Sequence, residues 1–520
     1  MKTNFDIAVI GSGFGGSLIA MIAKRLGRSV VMIERGKHPR FVIGESSTPL
    51  ANLLLEELAR RYDLPEVATL TKWGAWQQKH REIACGLKRG FTFYHHTPGQ
   101  PWTPQPDRWN ELLVAASPHD AIADTHWYRP DFDHFLVREA QRLGVEYLDE
   151  TRLNGVAMNP GGVTLRGERQ GESVEIQARF VIDASGPHGL LHRELGLGEK
   201  SFEHLPCTEA LYSHFTGVER WDALEPSTET PPYPVDDAAL HHVFNGGWMW
   251  VLRFNNGITS AGVAATRKLA NQLRFSEGEA AWHRLLDTLP GAARQFASAR
   301  PTLPFIHTPK LSFRTQTVVG PNWALLPSAA GFVDPLLSNG FPLTLLGIER
   351  LALALETDWG TERFAPRLQA YEQQTLRELD ITAELVGALY ASMDDFEVFT
   401  AVTMLYFAAA MTAETRRRIG AKDPPSFLLE RDATFGPALR ECLRLVHAGA
   451  GDTAKKSLLA AIQRAIEPIN LARLGEASRR NWYPCLAEDL LEAAPKLGVG
   501  REVIERLLAR CGFGETSRAS

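Results

Sequence analysis

A glycine-rich turn near the N-terminus constrains this chain more than any other feature. An apolar run at 7–10 leads into Gly11-Ser12-Gly13-Phe14-Gly15-Gly16, an amphipathic stretch follows at 17–26, and residues 30–34 read as a second strand ending in Glu34. In such a strand–turn–helix unit Gly11 makes the tight turn, Gly13 lets a phosphate approach the backbone, and Gly16 allows close helix packing. Free N–H groups and the helix dipole then face a pyrophosphate, and Glu34 stands where a carboxylate takes ribose hydroxyls. The unit predicts a dinucleotide site in an α/β domain, without separating one adenine dinucleotide from another.

At 520 residues the chain is too long for one core, so two or three domains are expected. A formal net charge of −5, with no run of Lys and Arg among aromatics, gives no field for a polyanion, and no nucleic-acid partner is expected. The five cysteines, Cys85, Cys207, Cys442, Cys485 and Cys511, are odd in number and lack CxxC spacing, which argues against both a disulfide framework and a zinc site. No metal is expected. The first residues run straight into a strand without a basic and apolar leader, from which a cytoplasmic location is expected. The apolar stretch at 398–411 is broken by Thr400 and Thr403 and falls short of the roughly 20 residues that cross a bilayer. It predicts a buried helix and no integral membrane association.

Periodicity predicts an extended loop at 39–49, a helix carrying Leu53, Leu54, Leu55 and Leu58, and a β-like region rich in aromatics at 72–102. Helical spacing at 131–143, a strand at 145–148, a hairpin across Gly161-Gly162 and a strand at 180–183 ending in Ala184-Ser185-Gly186 return the chain to the dinucleotide domain. Residues 205–315 alternate as an antiparallel sheet with one covered face does, and form the candidate substrate domain. From 343 helical spacing dominates, with turn signals at Asp358-Trp359-Gly360, Asp423-Pro424-Pro425 and 449–451.

Three further motifs carry a resemblance. Gly44-Glu45-Ser46-Ser47-Thr48-Pro49 follows the first unit, Trp248-Met249-Trp250 lies mid-chain, and Ala330-Gly331-Phe332-Val333-Asp334-Pro335 precedes Ser338-Asn339-Gly340. With them the sequence, over about residues 5–355, resembles the flavin-dependent halogenases, a branch of the single-component flavin monooxygenase fold. The resemblance implies FAD, reduced in its working form, with chloride or bromide as co-substrate. It also implies an α/β fold in which a Rossmann-type FAD-binding domain is interleaved with an antiparallel β-sheet substrate domain and followed by a C-terminal helical region. The FAD-binding segments are 1–71, 128–200 and 316–355; a substrate-side β region occupies 72–127, the antiparallel-sheet substrate domain 201–315 and the helical region 356–520.

The cofactor contacts so implied are Gly11, Gly13, Phe14, Gly15 and Gly16, Glu34 and Arg35, Gly44, Glu45 and Ser46, Arg129, Asp183, Ser328, Gly331, Asp334 and Pro335. Arg129 opens Arg129-Pro130-Asp131-Phe132-Asp133 and suits the role independently, because a guanidinium meets a pyrophosphate in bidentate fashion. Halide is expected at Asn339 and Gly340, where amides at a helix start could hold an anion.

Lys72, in Thr71-Lys72-Trp73-Gly74-Ala75-Trp76, is similar in position to the family's catalytic lysine. A desolvated ammonium there could hydrogen-bond hypohalous acid or carry the halogen as a chloramine, whereas its spacing alone fits a solvated strand lysine. Trp248 and Trp250 alternate on one strand, so both rings face one side and are expected on the substrate side.

The sequence departs from the family pattern at Leu252-Arg253, where Ile-Pro is usual, and at Pro327-Ser328, where Gly-Asp is usual. Leu337 stands where tryptophan-specific members carry glutamate, which turns the resemblance toward the branch acting on phenols or pyrroles. No second GxGxxG follows a strand, so a separate flavin reductase is expected in place of a built-in nicotinamide domain. The implied function is that of an oxidoreductase of secondary metabolism, in which reduced FAD, oxygen and halide halogenate a small aromatic substrate, free or tethered to a carrier. The same fold leaves open halide-independent hydroxylation or epoxidation, an oxygen-independent reductase, and a non-enzymatic flavin-binding partner protein.

Overall fold

The computed structural model describes residues 4–421, 425–449 and 451–514. Of the expected turn signals, Asp423, Pro424 and Ala450 lie outside the described residues.

Two large sheets organise the molecule. In the first, parallel strands run in the order Trp323–Leu325, Glu172–Asp183, Asn4–Ile10, Val30–Ile33, Glu146–Leu148. Their apolar, β-branched residues are buried on both faces, as a parallel sheet between helical layers requires. Strand order reverses beside Asn4–Ile10, so the sheet opens at the carboxyl end of that strand, where the glycine turn stands. The hairpin expected across Gly161-Gly162 forms, and it joins this same sheet through antiparallel pairing with Glu172–Asp183.

The helix Phe14–Arg25 leaves the turn with Lys24 and Arg25 in its last turn, where cations meet the negative end of the dipole. The helix Pro49–Arg61 starts with Pro at its first position, and its N-cap Thr48 accepts from the Ala51 amide at 3.3 Å. Leu53, Leu54, Leu55 and Leu58 are all buried.

The second sheet departs from expectation. Strands Thr208–Thr216, Thr259–Thr266, Gly247–Arg253 and Ala239–Phe244 form the antiparallel block within 205–315. Gly90–His95 then pairs parallel to Ala239–Phe244, Glu111–Ala115 follows antiparallel, and Trp482–Tyr483 closes the edge parallel to Glu111–Ala115. One sheet thus unites three distant parts of the sequence. The region at 72–102 also opens as a helix, Trp73–Lys79, in place of a strand. Trp76 is fully buried there with its indole N–H on the Ile83 carbonyl at 2.9 Å, and a Cβ at Gly74 would stand 2.6 Å from the Ala121 carbonyl oxygen. Close packing against that backbone selects the helical turn.

Beyond Gly340 the described residues are mainly helical, apart from the edge strand Trp482–Tyr483. Gly340–Thr357 packs against both Phe14–Arg25 and Pro49–Arg61, and Phe364–Ala391 and Phe396–Arg418 follow. The apolar stretch at 398–411 proves to be the middle of a 23-residue helix, long and apolar enough in itself to cross a membrane; 72% of its most apolar window is buried inside the protein. All five cysteines are free.

The edge strand carries a pH signature. Glu111 accepts from the Trp482 indole at 3.0 Å, and burial pushes its carboxyl up to about 7 against the charge of Arg108. A carboxyl raised in the fold stabilises most when protonated, so its contribution is complete below the unfolded pKa and is lost as pH rises toward 7. Glu111→Gln is expected to raise the melting temperature at pH 8 and leave it unchanged near pH 4; equal shifts at both pH values would contradict this.

Candidate active site

Gly11 sits at φ +94°, and a Cβ there would stand 2.7 Å from the Ala184 carbonyl oxygen. At Gly16 a Cβ would stand 2.0 Å from the Gly11 carbonyl oxygen, so the helix begins in direct contact with its own turn. Gly13 differs. The nearest atoms to a Cβ there are the Arg129 guanidinium at 3.5 Å, the Asp133 carboxylate at 3.6 Å and the Arg40 guanidinium at 3.9 Å. An open glycine backbone beside two guanidinium groups fits a pyrophosphate.

Glu34 lies across from this turn, buried at the end of its strand. Its carboxylate accepts from the Ser12 amide at 3.1 Å, the Ser12 hydroxyl at 2.9 Å, the Gly36 amide at 3.0 Å and Arg40 at 3.0 Å. Burial alone would raise its pKa; the Arg40 charge and the Gly36 and Ser12 donors outweigh it, holding the group ionised below its ordinary range. Arg35, expected beside it, is exposed: the strand ends at Ile33, and the chain turns out to the surface just after Glu34. Arg40 takes its place.

Arg129 is buried at the start of the helix Arg129–Arg142, reaches both Asp133 oxygens at 2.8 Å, and donates to the Gly44 carbonyl at 2.7 Å. It thereby ties the loop of Gly44, Glu45 and Ser46 to the glycine turn. Phe14 is part of an aromatic stack, 5.4 Å from Trp127 and 4.9 Å from Phe341, which joins the turn to the start of Gly340–Thr357. Asp183 does not reach outward: its carboxylate accepts from the Ser185 amide at 2.9 Å, the Ser185 hydroxyl at 2.5 Å and the Leu191 amide at 2.8 Å. It shapes the loop beside Gly11, a correction to the contact expected of it.

The third segment approaches from the other side. Ser328 and Pro335 are half-buried, and Gly331 is packed with no room for a Cβ, which would stand 2.6 Å from Leu379. Leu337 and Ser338 both hold positive φ, +64° and +56°, a conformation costing a non-glycine residue about 1–2 kcal/mol. The Tyr406 hydroxyl donates to the Leu337 carbonyl at 3.0 Å and helps to hold the turn. Asn339 follows as a buried N-cap of Gly340–Thr357, its amide donating to the Leu336 carbonyl at 3.2 Å. The first-turn N–H groups of this 18-residue helix have no intrahelical acceptor.

Trp248 and Trp250 do share one side of their strand, with ring centroids 5.7 Å apart, but both are core residues. The Trp250 indole donates to Ser260 at 3.2 Å. The Trp248 indole donates to the Tyr390 hydroxyl at 3.2 Å, which donates to Asp334 at 3.0 Å; the Leu336 amide takes the other carboxylate oxygen at 3.0 Å. Burial raises the Asp334 carboxyl to about 6 against these donors. Tyr390→Phe takes the hydroxyl acceptor from a buried indole N–H and leaves the Asp334 oxygen only the longer 3.5 Å contact from the Thr208 hydroxyl, and is expected to cost about 1–3 kcal/mol, read as a lower melting temperature. A Phe variant that melts with the parent would show the link to be idle.

Lys72 is a half-buried N-cap at the rim of a cavity, not a desolvated ammonium. The residue with that property is Lys88, which sequence reasoning missed. Lys88 is fully buried; its Nζ donates to the Ser46 hydroxyl at 2.8 Å and the Ser47 carbonyl at 2.5 Å, and lies 3.9 Å from the Phe91 ring centroid. Burial lowers its pKa, and the Asp124 charge opposes the shift; the Asp124 carboxyl is raised by burial and held down by Lys88. Asn52 donates to one Asp124 oxygen at 2.7 Å, while the other is buried without a hydrogen-bond partner.

Asp124 and Phe91 line a cavity of about 160 Å³, walled further by Pro342, Tyr406, Phe407 and Met411. None of its lining among the described residues comes from 205–315; the walls come from the start of the helix Pro49–Arg61, from the segment between Lys72 and Asp124 with its strands Gly90–His95 and Glu111–Ala115, and from the helices beyond Gly340, and the two tryptophans are not among them.

Comparison with known proteins agrees with this geometry. The family model described as FAD dependent oxidoreductase matches residues 6–194, and the one described as Tryptophan halogenase matches residues 124–399. The chain is 29% identical over 431 residues to tetracycline 7-halogenase of Kitasatospora aureofaciens, covering 79% of this chain and 74% of the relative. It is 29% identical over 425 residues to monodechloroaminopyrrolnitrin halogenase PrnC of Pseudomonas fluorescens, covering 80% and 73%. The crystal structure of halogenase PltM in complex with phloroglucinol and FAD superposes with a TM-score of 0.81 at 24% identity, over 92% of this chain and 99% of that one. With the halogenase model spanning more than half of its 520 residues, this chain belongs to the tryptophan halogenase family and is an FAD-dependent halogenase.

Proposed function

We propose that this enzyme halogenates an electron-rich ring bearing an acidic O–H or N–H, of phenol or pyrrole type, and that Lys88 directs the halogen to it. The observation that carries the reading is Asp124, a residue of the cavity wall with one carboxylate oxygen buried without a hydrogen-bond partner, beside the Lys88 ammonium. A phenolic hydroxyl or a pyrrole N–H supplies the donor this oxygen lacks, and the aromatic walls Phe91, Tyr406 and Phe407 suit a flat ring.

Bound reduced FAD, with oxygen and halide, supplies an electrophilic halogen equivalent. Gly13, Arg40, Arg129 and Glu34 seat the dinucleotide, and the helix start at Asn339 and Gly340 holds the halide. Lys88 donates a hydrogen bond from Nζ to the electrophile, and Asp124 accepts the substrate proton as the ring is attacked. Two relatives favour such rings: a 1H-pyrrole-2-carbonyl-[peptidyl-carrier protein] chlorinase of Pseudomonas fluorescens shows 26% identity, and PltM was crystallised with phloroglucinol. A substrate free or tethered to a carrier, a separate flavin reductase and a cytoplasmic setting complete the proposal.

The test is single-turnover reaction of the reduced, FAD-loaded protein with phenols and pyrroles, with and without bromide, read by product mass. Bromide-dependent bromination of these rings, but not of their O- or N-methylated analogues, is expected. Halide-independent oxygen insertion, or equal turnover of the methylated analogues, would overturn the proposal.

A further inference from the structure

Away from the cavity, at the surface of the FAD-binding domain, His188, His192 and Glu199 bring one ligand atom each to within 4.8 Å of one another. The His188 Nδ1 lies 3.2 Å from Glu199 Oε1, and the His192 Nε2 lies 3.8 Å from the same oxygen. Ligand atoms around a tetrahedral zinc ion stand about 3.3 Å apart, so these side chains need move little to share one ion. We infer that this group binds a single divalent transition-metal ion of the zinc type, with its remaining positions open to water.

Three features favour a built site over a chance meeting of polar groups. First, the His192 Nε2 is buried and has no hydrogen-bond partner, an orphan atom for which a metal would account. Second, Glu199 divides its oxygens: Lys310 holds Oε2 at 2.9 Å, leaving Oε1 to the imidazoles. A donor on the far oxygen orients a ligating carboxylate without occupying its binding side. Third, His188 sits at φ +51°, and its ring packs 4.9 Å from Phe313 and 5.2 Å from His192. The backbone is held in an uncommon conformation that places the imidazole in the group.

The ion would join two segments. His188 and His192 belong to the turn and short helix after the strand Glu172–Asp183, and Glu199 pairs with Thr315, next to the strand Phe313–Arg314 that pairs with Gly331–Phe332. It would therefore brace the loop that Asp183 shapes against the approach to Asp334. Nothing in the halogenation chemistry requires it.

The experiment is calorimetric titration of the chelator-treated, FAD-loaded full chain with Zn²⁺ alone, for the parent, His192→Gln and Glu199→Gln, with the exposed His283→Gln as control. One equivalent bound by the parent and by His283→Gln, and weakened at least about tenfold in each of the other two, is the expected result. Co²⁺ in place of Zn²⁺ should give a visible d–d band that His192→Gln abolishes. Absence of stoichiometric binding to the parent, or unchanged affinity in His192→Gln and Glu199→Gln, would overturn the inference.

Discussion

Replacing Lys88 by methionine is expected to lower halogenation by two to three orders of magnitude, on the order of what a positioned acid–base group contributes, while FAD binding is retained. Methionine preserves most of the buried volume and keeps the packing against Phe91, but it cannot donate to an electrophile. Its removal also leaves Asp124 as an uncompensated buried carboxyl, which burial then drives toward the neutral form. Lys88→Met with Asp124→Asn, which removes the charge imbalance, is the control for folding and FAD binding only, because Asp124 is itself the proposed proton acceptor. Stopped-flow reoxidation and product yield separate the steps: hypohalite should still be released to solution while product is lost. Substantial halogenation by Lys88→Met would remove this lysine from the chemistry. Lys72→Met, changed at the cavity rim, should lose no more than a few-fold.

The second large effect is expected from Gly16→Ala. A single methyl group there would lie 2.0 Å from the Gly11 carbonyl oxygen, a backbone atom that no side-chain rotation can clear. The helix Phe14–Arg25 must then shift off its turn, at a cost of about 1–3 kcal/mol for overpacking, and the amides facing the pyrophosphate move with it. The purified variant is expected to be colourless and to take up FAD at least a hundredfold more weakly by fluorescence titration, with circular dichroism showing the fold retained. Gly161→Ala, where a Cβ would meet nothing within 4 Å and φ is not positive, is the control for a glycine-to-alanine change without the clash. Yellow, fully loaded Gly16→Ala protein would refute the account.

Those two positions mark where the sequence could and could not be read. The glycine turn was legible because each glycine answers a local steric demand that spacing displays. The lysine was not, since periodicity does not distinguish a solvated strand lysine from a buried one. Lys88-Arg89-Gly90-Phe91 also sets a lysine just before a glycine–aromatic strand, and Gly86, which shares a strand face with Lys88, would put a Cβ 1.9 Å from the Arg253 carbonyl oxygen. That enclosure is tertiary: the backbone closing on Gly86 belongs to Arg253, far along the chain, and spacing does not display it. Arg40 escaped notice because it meets Glu34 through a loop, and Asp124 because its partners Asn52 and Lys88 are far along the chain. The cavity is not legible for the same reason: its walls are assembled by tertiary packing of residues from the start of the helix Pro49–Arg61, from the segment between Lys72 and Asp124 and from the C-terminal helices. The three ligand atoms at His188, His192 and Glu199 meet through a turn, so a search for cysteine spacing could not find them.

The edge strand Trp482–Tyr483 has a bearing on biosynthesis. Because it pairs beside Glu111–Ala115, and because Cys485, Leu507 and Leu508 help to enclose the cavity, that cavity is incomplete until residues as late as Leu508 have left the ribosome. The dinucleotide sheet needs nothing beyond Leu325 for its strands and can assemble well before that point. A nascent chain is therefore able to acquire its nucleotide-binding half while it still lacks a closed compartment for reactive halogen.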